Sequence, residues 1–427
     1  MRILHVVHQY VPDHVAGTEL YTQMVARRLT DAGHEAAVFA PLNRDGAFTG
    51  QPAREAGVRV YRVPVGARGA TGVFLSTFGR RVLSEAFDAV LATEQPDVIH
   101  LQHLMGVPAA IGAASLASAP TVISLHDYWY GCANGQLLTN DTEHICDGPS
   151  PGFGNCGRCA AARGGLPPAL GPLFAPLMRR RNALLRPIFA GAARVLAPNA
   201  FVRDIYAAMG FPTDRVVINP LGLDAPADLG QRLAARRAGR PPGALRLGYV
   251  GSISRQKGIH VLVEALDGLP EAGVTLDIYG DMGVFPDYAA AVRALARHPG
   301  IRFNGLIARE QLWDALGELD VLVMPTLWYE ASPATIREAF AAGLPLVASA
   351  LGAPGSMVRD GVDGLLFPPG DVSALRGALR GLIERPERVA QLRAGIGPVR
   401  TVGDHVAQIA ATYEQVRQGF PIRGSAL

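Results

Sequence analysis

The sequence predicts an α/β protein built from two doubly wound parallel sheets, and three observations predict it. Short apolar runs such as Ile3–Val7, Leu245–Val250 and Val321–Met324 recur along the chain and read as buried strands. Segments of helical periodicity, such as Glu19–Thr30 with Gly33 past its end, lie between them, and alternation of strand and helix implies a parallel sheet. At 427 residues the chain is also long enough for two domains, each with its own core.

In the first half, further strands are expected at Glu35–Ala40, Val58–Val63, Asp97–Leu101, Thr121–Leu125, Arg194–Ala197 and Val216–Ile218. The loop from Gln9 to Thr18 has no Gly-x-Gly-x-x-Gly, so a nicotinamide or flavin dinucleotide is not indicated. The strand ending at Leu125 delivers His126 and Asp127 at its carboxyl end. From Tyr130 to Gly165 the chain is rich in Gly, Pro and polar residues and holds all four cysteines, Cys132, Cys146, Cys156 and Cys159. Two of them form Cys-x-x-Cys, which fits a structural zinc site stabilising a loop without a core; disulfides, free thiols and an iron-sulfur cluster are the alternatives. Leu173–Ala190 reads as a helix carrying Arg179, Arg180, Arg181 and Arg186 among Leu, Phe and Ile. Such a helix either turns a solvated basic side outward or rests on an anionic membrane surface.

Ala225–Gly243 is polar, rich in Arg and Ala, and ends in Pro241-Pro242-Gly243, so it reads as the connection between domains. The second half opens with strand Leu245–Val250, followed by Gly251-Ser252-Ile253-Ser254-Arg255-Gln256-Lys257-Gly258 and a helix from Ile259. Small residues let backbone approach a ligand there, and Arg255 and Lys257 supply two cations at the helix start. Strands Thr275–Tyr279, before Gly280, and Arg302–Phe303, before Ile307, follow.

The most informative stretch is Leu322–Ser349. After strand Val321–Met324, a helix is expected over Pro333–Ala342, stopped by Gly343 and Pro345. Ser332 stands where an N-cap belongs and Pro333 at the first helical position, which leaves the amides of Ala334 and Thr335 facing outward as an anion site. Glu330 precedes the helix and Glu338 lies within it. Carboxylates repel a phosphate, so they must serve hydroxyls of the same ligand, and a diphosphate with polyols on both sides is a nucleotide-diphosphate sugar.

This Glu-x7-Glu spacing, the following Ala-Phe-Ala-Ala-Gly-Leu-Pro and strand, and the tail Gly361-x-x-Gly364-Leu365-Leu366-x-Pro368-x-Gly370 resemble the signature of the retaining GT-B glycosyltransferases of the GT4 class. The resemblance implies the GT-B fold, two Rossmann-like domains facing a cleft. Their expected extents are 1–224 with the cysteine-rich insertion at about 130–165, a linker at 225–243, a nucleotide-sugar domain at 244–401, and a last helix in 402–427 crossing back to the first domain. It implies that Glu330 holds hydroxyls of the donor sugar and Glu338 those of the ribose. Arg255 and Lys257 would clamp the diphosphate, and His126 would lie beside the anomeric carbon. Gly251, Ser252, Gly280, Ile307, Ala331, Ser332, Pro333, Ala334 and Thr335 would complete the donor site. Of the family's glycine pair in the first loop only Gly17 is present, after Ala16, so that match is partial. Ala308 and Arg309 replace carboxylates that often accompany guanine, which favours uracil.

The expected activity is metal-independent, since no Asp-x-Asp occurs and two fixed cations can replace a metal ion. The acceptor, a saccharide, a lipid-linked sugar or a small molecule, is not named by the sequence. A non-catalytic nucleotide-sugar-binding subunit and a phosphorylase or epimerase on the same scaffold are the alternatives. The net charge of +3 is small and no basic stripe interleaved with aromatics occurs, which argues against nucleic acid. The amino terminus reads as a strand without a signal-peptide core, and no apolar run approaches a membrane span, so a cytoplasmic protein is expected, with peripheral contact at the inner membrane face as the alternative.

Overall fold

The computed structural model describes residues 1–239 and 243–419. Pro241 and Pro242 of the expected connection, and the chain beyond Gly419, lie outside the described residues. Two compact units result: Met1–Leu221 together with the chain from Gly403 on, and Gly222–Val402.

The first unit holds strands β1 (Arg2–Val6), β2 (Glu35–Leu42), β3 (Ala53–Glu55), β4 (Val58–Pro64), β5 (Val98–Leu101), β6 (Thr121–Ser124), β7 (Arg194–Ala197) and β8 (Val216–Ile218). Their order across the sheet is β3-β4-β2-β1-β5-β6-β7-β8. Every neighbouring pair is parallel except β3 with β4, a polar antiparallel edge that the sequence did not announce. Central strands such as β5 and β6 are buried along their whole length, which is why they read as continuous apolar runs. The helix Val402–Gln418 packs on this sheet: the Tyr413 hydroxyl lies 2.5 Å from His100 Nδ1, and Gln408 donates to the Ile218 carbonyl at 3.1 Å.

The second unit holds β9 (Leu245–Val250), β10 (Val274–Tyr279), β11 (Ile301–Gly305), β12 (Val321–Met324), β13 (Leu346–Ser349) and β14 (Gly364–Phe367), in the order β11-β10-β9-β12-β13-β14, all parallel. Both faces of this sheet are buried. Val321 and Val323 of β12 join the cluster of Leu262, Leu276 and Leu379, while Leu322 and Met324 join that of Leu316, Ile336 and Leu344.

Three local expectations are corrected. The stretch read as a polar connection contains a helix, Leu229–Ala238, whose Leu229 and Leu233 are buried in the second cluster of this unit. The cysteine segment, read as loop, contains the helix Gly154–Arg163. The basic helix spans Gly171–Gly191, but only Arg179 and Arg180 face solvent. Arg181 is 2% exposed, with its guanidinium 4.2 Å from the Trp129 ring centroid, and Arg186 donates to the Met209 carbonyl at 3.1 Å.

Candidate active site

In each unit the strand order reverses once, between β1 and β5 and between β9 and β12. Loops leaving the carboxyl ends of two strands at such a reversal diverge and leave a crevice, where open α/β sheets bind ligands. Of the residues predicted for the donor, those of the second unit follow strands at or beside this second reversal, while Gly17 and His126 lie in the first unit.

There, β9 runs into Gly251–Ser254, a 3-10 turn at Arg255–Lys257 and the helix Ile259–Leu266. Neighbouring β12 runs into the loop 325–333 and the helix Ala334–Ala341. The two loops are stitched together by the Leu327 amide, which donates to the Gln256 carbonyl at 2.8 Å. Gly258 makes the approach feasible. Its φ is +70°, and a Cβ there would lie 1.8 Å from the Pro325 carbonyl oxygen, so no side chain fits. Gly280, at the end of β10, is similarly pressed on the Gly251 carbonyl, where a Cβ would lie at 2.1 Å. The Tyr249 hydroxyl fixes the loop from beneath by donating to the Ser252 carbonyl at 2.8 Å.

This stitching brings Lys257 and Glu330 together across the reversal, with Nζ 2.5 Å from Oε1. Glu330 is nearly buried, while Lys257 keeps some access to water and lies 5.6 Å from the Trp328 ring centroid. Glu338 is buried as well, and its Oε1 accepts from Arg309 Nη1. Arg255 is exposed. Ile307 packs beside the cluster under β12 and β13. Ala331 and Thr335 are half-buried and Ala334 is exposed.

The helix start differs from expectation. Pro333 occupies the cap position in an extended conformation and Ala334 is the first helical residue, so Ser332 is not the N-cap. Its hydroxyl instead accepts from Arg337 Nη1 at 2.9 Å. The amides of Ala334 and Thr335 still fall in the first turn, where a helix offers its own N–H groups no acceptor.

At the first reversal three histidines stand at equivalent places, each two residues past a strand end: His8 after β1, His103 after β5 and His126 after β6. His126 Nε2 donates to Gln102 Oε1 at 3.0 Å, which leaves Nδ1 as the lone-pair nitrogen of a neutral ring. Burial, reinforced by His103, pulls His126 down to about 3, so it acts as a neutral hydrogen-bonding group near pH 7. His8 is likewise held well below its ordinary value by burial and by His103 and His126. Burial pulls Asp127 upward, but His103, bonded to it at 3.0 Å, and the Trp129 amide outweigh this and hold the carboxylate below its usual range. His8 Nε2 lies 3.3 Å from Glu19 Oε1, and the His8 and His103 ring centroids are 4.5 Å apart. Sequence reasoning named His126 but missed His8, Glu19 and His103. The repeated strand-plus-two position of histidine was the available signal. Gly17 opens the helix Gly17–Asp31, and a Cβ there would meet nothing within 4 Å, so packing alone does not require glycine.

The four thiols are free and half-buried. Among the described residues no three His, Cys, Asp or Glu side chains are grouped so that they could hold a metal ion. Asn140 directs its amide and its side-chain nitrogen at the Cys159 sulfur, at 3.4 and 3.1 Å.

Two family models match this chain, a glycosyl transferase 4-like domain over residues 16–222 and glycosyl transferases group 1 over residues 244–385. The chain therefore belongs to the group 1 glycosyltransferases, the GT4 class. A D-inositol 3-phosphate glycosyltransferase of Xylanimonas cellulosilytica is 31% identical over 220 residues, 49% of this chain and 52% of that protein. The chain thus spans about half the length of that relative. A GDP-mannose-dependent alpha-mannosyltransferase of Mycobacterium tuberculosis is 27% identical over 394 residues, covering 91% of this chain and 90% of that one. Among solved structures, sucrose-phosphate synthase from Thermosynechococcus elongatus aligns with a TM-score of 0.71 at 18% identity, over 98% of this chain and 99% of that one. Anabaena HepE in complex with UDP and glucose aligns with a TM-score of 0.65 at 19% identity, over 97% and 100%. These likenesses show the GT-B fold.

Proposed function

We propose that the protein is a retaining, metal-independent glycosyltransferase that moves a sugar from a nucleoside-diphosphate sugar, with UDP favoured, to an acceptor hydroxyl. The observation that carries this reading is the meeting of Lys257 and Glu330 where the second sheet reverses, beside a helix whose first amides are open. The hard step is breaking the bond to the anomeric carbon while negative charge grows on the leaving diphosphate. Lys257, Arg255 and the amides of Ala334 and Thr335 are the groups to stabilise that charge, and preorganised donors of this kind are worth roughly 3 to 4 kcal/mol each. Glu330 would turn its free oxygen to sugar hydroxyls, and Glu338 would exchange Arg309 for the ribose. No carboxylate stands out as a covalent nucleophile, so the leaving phosphate would take the acceptor's proton on the face it departs from.

The uracil preference rests on Ala308 and Arg309, both exposed, which offer no carboxylate to the N–H groups of guanine. The acceptor belongs to the class that relatives' names describe, a sugar, a cyclitol or a related hydroxyl compound. Contact with a membrane surface is supported by Arg179 and Arg180 beside Leu173 and Leu184, exposed on one helix; among the described residues no helix is long and apolar enough to cross a membrane.

To the cysteine segment we assign a structural zinc held by Cys132, Cys146, Cys156 and Cys159. Its support is Arg181, a buried cation with Cys132 and Cys156 as well as Asp127 among its neighbours, whose hydrogen bond goes to the Trp129 carbonyl. Four thiolates on a divalent ion carry net negative charge that would offset it. Closing the site would require the sulfurs to draw together. Metal analysis is expected to give one zinc per chain, and four reactive thiols without metal would remove the assignment.

The deciding experiment is a panel of nucleotide sugars screened for nucleoside-diphosphate release with and without acceptors. Acceptor-dependent release is expected with at least one UDP-sugar. Tight donor binding without turnover across acceptors would instead make the protein a nucleotide-sugar sensor.

A further inference from the structure

Lys257 is committed to Glu330 and Arg309 to Glu338, whereas Arg337, next to Glu338 on the same helix, is bonded to no carboxylate. Its hydrogen bond to the Ser332 hydroxyl uses Nη1, while Nε is shut off from solvent and has no acceptor. Side chains on a helix lean toward its amino end, so a long residue at the fourth position of Ala334–Ala341 reaches back over the first turn. The bond to Ser332 shows that it does so. The guanidinium therefore reaches Ser332 of the loop that carries Glu330. Burial pulls it down to about 10, partly offset by neighbouring Glu338, so it stays charged near pH 7. A protein gains nothing by burying a charge without a counterion unless something supplies one.

We propose that Arg337 is a binding residue for an anionic group of the donor, either the distal phosphate of the nucleoside diphosphate or a carboxylate carried by its sugar. The inference rests on the donor-site reading and adds to it a residue that neither the Glu-x7-Glu spacing nor the Arg255–Lys257 pair implies. A planar guanidinium whose Nη1 is taken by Ser332 and whose Nε has no acceptor suits an oxyanion, whereas a neutral hydroxyl would leave it uncompensated.

The test compares wild type with Arg337→Leu and Arg337→Lys by calorimetric binding of uridine, UDP, UDP-glucose and UDP-glucuronate, with melting temperatures of each protein without ligand. If the phosphate is the partner, Arg337→Leu weakens UDP by about tenfold or more, Arg337→Lys falls between, and uridine is unchanged. If a sugar carboxylate is the partner, UDP and UDP-glucose are unchanged and a wild-type preference for UDP-glucuronate disappears. In either case ligand-free Arg337→Leu melts at or above wild type, because a half-buried charge bonded to no carboxylate has been removed. Equal affinities throughout, or a lower melting temperature with equal affinities, would make Arg337 a structural brace and overturn the proposal. Should Arg337→Leu fail to fold, Arg337→Lys and Arg337→Gln carry the same comparison. Failure of wild type to bind any of the nucleotides removes the donor site itself, a result distinct from equal binding by wild type and variant.

Discussion

Glu330→Gln separates what this carboxylate does for the fold from what it does for the reaction. The substitution keeps the shape and leaves a carbonyl oxygen for Lys257, so only the charge is lost from a contact of 2.5 Å. Breaking a buried pair outright costs about 3 to 5 kcal/mol, but the retained acceptor and the access of Lys257 to water reduce this to about 1 to 2 kcal/mol. For a unit of this size that corresponds to roughly 2 to 8 °C in melting temperature. The catalytic loss is set by a different bond, the charge-assisted one to a sugar hydroxyl. At about 1.5 to 3 kcal/mol it slows turnover roughly 10- to 160-fold. Lys257→Met, which strands Glu330 in a nearly buried place, should destabilise more than Glu330→Gln, and the double variant should recover part of the sum. Melting curves with all four proteins give the coupling, and nucleoside-diphosphate release gives turnover. Wild-type turnover in Glu330→Gln would remove the residue from the site, and strictly additive melting shifts would show that the two side chains do not act as a pair.

Gly258→Ala is expected to unfold or severely destabilise the second unit, because its Cβ would enter the Pro325 carbonyl and its φ of +70° disfavours a side chain; thermal melting checks it, and a shift under about 2 °C would refute the close approach. In the first unit, burial pulls Glu94 up, but the hydrogen bonds from Arg59 and Tyr61 outweigh this and hold it below its ordinary 4.5. A depressed carboxylate stabilises the fold above its unfolded value and loses that contribution as pH falls through the folded one. Glu94→Gln should therefore flatten the fall in stability below about pH 4.5 relative to wild type, and parallel curves in acid denaturation would refute the assignment.

Much of the architecture was legible because buried parallel strands are apolar on both faces. Leu245–Val250, Val321–Met324 and Arg194–Ala197 are found where their runs of Val, Leu and Ile put them, as is the half-buried edge strand Val216–Ile218. The polar edge strand Ala53–Glu55 has no such signal. The helix Gly154–Arg163 was hidden for a physical reason. Its Gly157 lies against the Gly171 carbonyl, where a Cβ would stand at 2.2 Å, so the close packing of two helices demanded residues that read as loop. The loop residues Lys257, Glu330 and His126 were legible from their place after strands. Their partners were not, because sheet order, which sequence spacing does not reveal, decides that β9 lies beside β12 and β5 beside β6. The pairing of Arg309 with Glu338 and the inward turn of Arg181 belong to the same category.

The helix Val402–Gln418 also bears on biosynthesis. Tyr413 and His405 meet His100 and Tyr21 inside the first unit, yet they are translated only after the whole of the second. An amino-terminal fragment stopping at Leu221 would deprive those buried groups of these contacts. The sheet of the first unit is thus synthesised well before the helix that packs on it, and deleting Val402–Gln418 should injure a unit built from residues far upstream.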